Sequence, residues 1–295
     1  MIWIAAAAPL FAQQQSNDDP ATVCTAHNLD STAMVGQLKI SAFLTEFTDC
    51  LQVASGTKVL YRGTMDGGSL ILGQTDSDFG IPVIRNGTDV TGRGHPDLIV
   101  SHFTGGTHCC MSHYLYELAP VVRLVAKFTD THDDAAHFER DPKDGHYYYH
   151  TADWIFAYWP TGFALSPSEA VILRFVDDAN GGAYHVAFDK MAKPAPTQAV
   201  WNKKLSAAQK AVNAGAVNDI GLALWGVVLD FLYTGHSDLA WKFLDALGPK
   251  AQQKPFPPLS EFCNLLKRSA YWPDLGPTLK DPPAPCSYSP PASTK

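Results

Sequence analysis

The chain has 295 residues, 46% of them hydrophobic, and a formal net charge of −7. That length suffices for one large domain or two modest ones with a genuine apolar core. The acidic balance, without any basic run or stripe, excludes nucleic acid and anionic membrane as general partners.

In chain order, Ile2 to Ala12 is an apolar stretch too short to span a bilayer. It reads as the hydrophobic part of an export signal, covering residues 1–12, with cleavage after Ala12. The basic segment that normally precedes such a stretch is missing, because the first Lys or Arg is Lys39. Six cysteines agree with export, since disulfides persist outside the cytosol. Their spacing favours Cys24 with Cys50, inside an N-terminal segment 13–56, and Cys263 with Cys286 near the end. Six cysteines allow about 15 connectivities, so spacing expresses a preference only. Each local bridge would close a loop of roughly 25 residues, worth about 3 kcal/mol on a chain-entropy argument.

Residues 57–195 read as β structure. "KVLYRG", "DLIVSHF", "HYLYEL", "VVRLVAKF", "AVILRFV" and "AYHVAF" are short β-branched and aromatic runs separated by Gly, Pro, Asn and Asp. In "VVRLVAKF" the period of two puts Val122, Leu124, Ala126 and Phe128 on one face. "NGGAY" at 180–184 predicts a hairpin turn. Residues 200–250 change to helical periodicity and predict a helical hairpin, its second helix capped by Ser237 and stopped by Gly248 and Pro249. Residues 251–295 predict a short helix capped by Ser260, then a Pro-rich tail pinned by Cys286. The expected class is therefore α+β: an antiparallel β domain, blade-like or sandwich, followed by a C-terminal helical hairpin.

The most informative stretch is "DVTGRGHPDLIV", residues 89–100. It resembles the FG-GAP/VCBS type of repeat found in integrin-like propellers and exported bacterial proteins. In that pattern alternating oxygen ligands, one backbone carbonyl and a bend glycine surround calcium ahead of a strand. The resemblance covers about residues 60–190. It implies that Asp89 and Asp97 keep ligand positions, that Gly94 is the bend glycine and that His95 stands at the carbonyl position. Thr91 is a weaker neutral donor and Arg93 replaces a ligand altogether. Calcium affinity is expected to fall with the lost ligand charge. A guanidinium can instead fork between two carboxylates, so Arg93 is expected to sit inside the loop and neutralise Asp89 and Asp97. "FERDPKDGHYYY", from Phe138, would be a second copy in which only Asp144 keeps a ligand position.

"GGTHCCMSH" at 105–113 supports several chemistries. His102, His108, Cys109, Cys110 and His113 are soft and borderline ligands suited to a transition metal. Adjacent cysteine side chains diverge, however, and thiols oxidise outside the cytosol, which favours a Cys109–Cys110 vicinal disulfide. "THDDAAHFERD" (131–141) gathers His132, Asp133, Asp134, His137, Glu139 and Asp141; a solvated acidic loop is expected there, a metal or acid–base site being the alternative. The aromatic segment Tyr147 to Trp159 is expected to bury most of its rings and to leave the remainder for a sugar or a protein. No nucleophile elbow, phosphate-cradling loop or HExxH zinc motif occurs. The reading is an exported, non-catalytic binding module for an unknown protein or carbohydrate, without nucleic acid or a transmembrane segment. A metal-binding protein or metal-dependent hydrolase using the His and Cys residues of 102–113 is the alternative.

Overall fold

The computed structural model describes residues 19–75, 81–105, 111–130, 132, 135–179, 181–253 and 255–290. The proposed signal stretch 1–12, the pair Cys109–Cys110, His108, Asp133 and Asp134 lie outside the described residues.

Twelve strands form three four-stranded antiparallel sheets, each built from strands consecutive in the chain. The first holds β1 (Leu29–Val35), β2 (Leu38–Phe43), β3 (Thr48–Ser55) and β4 (Lys58–Asp66). The second holds β5 (Ser69–Leu72), β6 (Asp97–Phe103), β7 (Met111–Glu117) and β8 (Arg123–Asp130). The third holds β9 (His137–Arg140), β10 (Tyr147–Asp153), β11 (Glu169–Val176) and β12 (Ala183–Val186). With the C-terminal helices this is the expected α+β architecture of blade-like sheets. Three strands of the first sheet come from the segment set apart by its cysteines; Asp30, Ser31, Lys39 and Ser41 break the apolar runs by which the other strands are recognised.

The second sheet is the middle layer. Leu98, Val100, Tyr114 and Tyr116 pack against Ile40, Leu51 and Val53 of the first sheet. Ile99, Leu115 and Phe128 point the other way, into a core shared with Phe138, Tyr149 and Leu173 of the third sheet and with the helices. This double burial explains why β6 and β7 read as near-continuous apolar runs. The alternation expected in β8 fails at one place. The β7–β8 register shifts between Leu115 and Tyr116, so Val122 joins the first core and Phe128 the second, while Leu124 is 44% exposed. One extra residue in a strand exchanges its two faces from that point on.

The β11–β12 turn falls where the two glycines predicted it, with Gly181 and Gly182 at φ 103° and 82°. The helical part comprises Gln198–Ala214, a helix running from Val217 to Tyr233 through a π turn at Gly221–Gly226, Ser237–Leu247 and Leu259–Leu266. At Gly221 an added Cβ would stand 2.4 Å from the Leu165 carbonyl oxygen, so glycine lets this helix approach the β domain. Ser237 is not the cap: His236 takes that place, and the Ser237 hydroxyl accepts from the Lys280 amide at 3.0 Å. Ser260 likewise lies inside its helix, behind Pro258. Gly248 does stop its helix, at φ 70°.

Cys24–Cys50 and Cys263–Cys286 are both bridged, as the spacing favoured. Among the described residues no helix is long and apolar enough to cross a membrane.

Candidate functional site

The loop before β6 is closed by its own amides. The Asp89 carboxylate accepts from the Arg93 and Gly94 amides at 3.0 and 2.8 Å, and Thr91 Oγ1 lies 3.4 Å from it. Asp97 Oδ2 accepts from the Val90 and Thr91 amides at 2.9 and 2.8 Å. Gly92 and Gly94 hold φ 74° and 80°, which provides the bend. Asp97 is 1% exposed and its Oδ1 has no hydrogen-bond partner. Burial pushes its carboxyl up to about 6, against the pull of the amides.

Arg93 does not neutralise these carboxylates. Its Nη1 donates to the Gly181 carbonyl at 2.8 Å, and its Nε lies 3.6 Å from buried Glu117 and 3.8 Å from Asp177. Arg123 donates to the same Glu117 at 2.7 Å and to the same Gly181 carbonyl at 3.2 Å. Backbone amides hold Asp89 and one oxygen of Asp97, whereas buried Glu117 of the same sheet and the Gly181 carbonyl of the third sheet draw the guanidinium out of the loop. Arg93 therefore fastens two sheets together. His95 remains part-buried in the loop.

The two described histidines of this region, His102 and His113, do not converge. His102 stands opposite Ser112 and His113 opposite Ser101, which puts the two imidazoles on opposite faces of the middle sheet. His102 meets Asp49 of the first sheet at 3.3 Å, both groups buried. His113 Nδ1 meets the Tyr149 hydroxyl of the third sheet at 2.7 Å. One ion cannot bind both.

The 131–141 segment is only partly a loop, because His137 to Arg140 form β9. Asp141, together with Asp144, holds Lys190 Nζ at 2.6 Å. The lysine keeps both carboxyls below the usual carboxylate range, and they raise the lysine in turn. The two loops singled out by sequence, 89–92 and 145–148, line one cleft of about 210 Å³ with Arg174 and Phe175. They occupy equivalent places, each leading into the second strand of its sheet.

A second cleft, of about 290 Å³, is lined by His132, Asp153, Trp154, Ile155, Arg268, Ser269 and Tyr271, among others. The aromatic segment divides here. Phe156 and Trp159 turn inward onto Phe262 and Trp225. Trp154 turns the other way and stacks on Phe163, ring centres 5.1 Å apart, with His132 edge-on to Trp154 and tilted against Phe163. Trp154 Nε1 is buried without a hydrogen-bond partner. Tyr158 beside it is 58% exposed and holds φ 62°, a backbone region that favours glycine. Asp153 is 4% exposed and accepts from Tyr233 at 2.6 Å, Ser269 at 2.7 Å and the Ile155 amide at 3.0 Å, which fixes the cleft floor and ties β10 to the C-terminal helices. Burial and the Asp153 charge raise Tyr233 well above its ordinary value. Arg268 is exposed at the lip and has no ion-pair partner among the described residues.

Searches against family models, curated proteins and solved structures found no match. Sequence reasoning singled out His132 and Trp154 but missed Arg268, Ser269 and Tyr271, which lie more than a hundred positions further on. No local pattern marks them; only the fold of the tail brings them to the cleft.

Proposed function

We propose that the protein is an exported, non-catalytic binding module whose Trp154 cleft takes an acidic carbohydrate. The observation that carries this reading is the meeting, in one cleft, of the Trp154 and Tyr271 rings with the exposed Arg268 guanidinium, which has no ion-pair partner among the described residues. Aromatic rings and one uncompensated guanidinium face a fixed, hydrogen-bonded floor. Sugars present apolar ring faces to aromatic side chains and hydroxyls to polar ones, and pockets of this kind combine a mostly apolar lining with a few placed polar groups. Arg268 would supply forked donors to a carboxylate or sulfate on the sugar. The volume, about 290 Å³, is at the low end for small-molecule pockets and suits one or two rings of an open-ended chain. Export is supported by the two bridges and by the apolar N-terminal stretch.

Titration of the full chain with oligogalacturonate and with a neutral oligosaccharide of equal length tests the reading. The acidic probe is expected to bind more tightly, and Arg268→Ala is expected to abolish the preference. Equal affinity for Trp154→Ala and the unaltered protein, or binding of neither probe, would overturn it.

A further inference from the structure

We propose that His137, Glu139 and His150 form a site for one divalent transition-metal ion of the zinc type, on the outer face of the third sheet. The register of two strands assembles it. His137 on β9 stands directly opposite His150 on β10, and Glu139 lies two residues beyond His137 and so on the same face. Both imidazole Nε2 atoms approach one carboxylate oxygen: Glu139 Oε2 is 3.8 Å from His137 and 3.7 Å from His150. Around a tetrahedral ion with bonds of ~2.05 Å, donor atoms stand ~3.4 Å apart and two imidazole ring centres roughly 5 Å apart. The ring centres here are 5.2 Å apart.

A second observation points the same way. His137 Nδ1 lies 2.7 Å from the Ala135 carbonyl oxygen. That oxygen can only accept, so the Nδ1 carries the proton and donates it; in the neutral ring this leaves the Nε2 lone pair toward Glu139. A backbone carbonyl on the far nitrogen is the usual device that orients a metal-binding imidazole.

The set is open in the metal-free chain: no three His, Cys, Asp or Glu side chains among the described residues already surround one ion position. Closing it requires the carboxylate to approach by about 0.4 Å. The His150 ring, whose plane is only 10° from that of His137, must also turn about χ2, while the Ala135 carbonyl keeps the His137 ring in place. Side-chain exposures of 51% for Glu139 and 33% for His150 leave room for both movements. Two neutral nitrogens and one carboxylate match borderline ions in preference to calcium or magnesium. Three protein ligands leave one position free. It faces a cleft of about 240 Å³ bordered by Tyr148 and Lys190, where water or a small anion would complete the coordination.

The test is calorimetric titration of chelator-stripped, tag-free full chain with zinc chloride, repeated with cobalt(II) and read by visible absorption. The expected result is one equivalent bound and a tetrahedral cobalt spectrum. Affinity should fall in His150→Ala and in Glu139→Gln by more than the ~10–100-fold that loss of an outer-shell partner gives. His146→Ala, which alters the neighbouring cleft, should bind as the unaltered chain does. Matching far-UV circular dichroism of the metal-free variants guards against misfolding. Zinc binding no tighter in the unaltered chain than in His150→Ala would overturn the proposal. So would binding that survives His137→Ala and is lost in Cys109→Ser or Cys110→Ser.

Discussion

The two clefts are built from similar residue types and differ in how their cations are paired. Beside the 89–97 loop, carboxylates meet backbone amides, Arg93 meets Glu117 and Gly181, and Lys190 meets Asp141 and Asp144. Polar groups there stabilise one another and join the second sheet to the third. Beside Trp154, the buried carboxylate is held by Tyr233 and Ser269, and exposed Arg268 has no ion-pair partner among the described residues. The 89–97 loop acts as a clasp between two sheets, whereas the Trp154 cleft carries a cation unpaired among the described residues. Charge and hydrogen-bonding capacity separate the two more sharply than shape does.

Predictions that break or sharpen this contrast begin with binding and continue, from large to small, with stability. Trp154→Ala should weaken oligogalacturonate binding at least about tenfold, consistent with loss of roughly 1.4 kcal/mol or more of stacking and burial. The melting temperature should change little, because Trp154 lies at the cleft and is only part-buried. A loss of fold in that variant would place the ring in the core instead.

The next effect is pH-dependent stability at Asp97. Its carboxyl is raised from 3.8 to about 6, so it contributes stability below pH 4 that is lost as the pH rises through 6. Asp97→Asn lacks this term. Urea titrations should show the variant gaining on the unaltered protein by up to about 3 kcal/mol between pH 4 and pH 7. A constant difference across that range would show that Asp97 is not buried as described.

Asp89→Ala should cost about 1–2 kcal/mol, because it strips the Arg93 and Gly94 amides of their acceptor, and should leave carbohydrate affinity unchanged. The smallest effect is expected from calcium. Asp89 would have to release amides held by both its oxygens, and Arg93 stands where a ligand belongs, so added calcium or chelator should shift the melting temperature by less than about 1 °C. A calcium-dependent rise of several degrees would show that the loop still binds the ion.

Much of the fold was legible in the sequence. Apolar runs bounded by turn residues located β4, β6, β7, β11 and β12, and cysteine spacing located both described bridges. Polar residues at Asp30, Ser31 and Lys39 hid β1 and β2, and one bulge in β8 reversed an otherwise sound assignment of faces. The sites were less legible because convergence depends on register. His102 and His113 lie eleven positions apart and face away from each other. His137 and His150 lie thirteen positions apart and face the same carboxylate. Arg93 was recognised as unable to bind calcium, but its partner, Glu117, becomes visible only when β6 and β7 are paired.

The most direct measurement follows the Trp154 indole Nε1–H resonance by proton–nitrogen correlation spectroscopy, assigned with Trp154→Phe, during titration with oligogalacturonate. A buried indole without a partner should shift saturably as the sugar fills the cleft, together with amides of Ile155 and Ser269 to Tyr271. Saturable shifts confined to Asp89–Gly92 and Gly145–Tyr148, with the indole unmoved, would place the ligand in the other cleft and contradict the account.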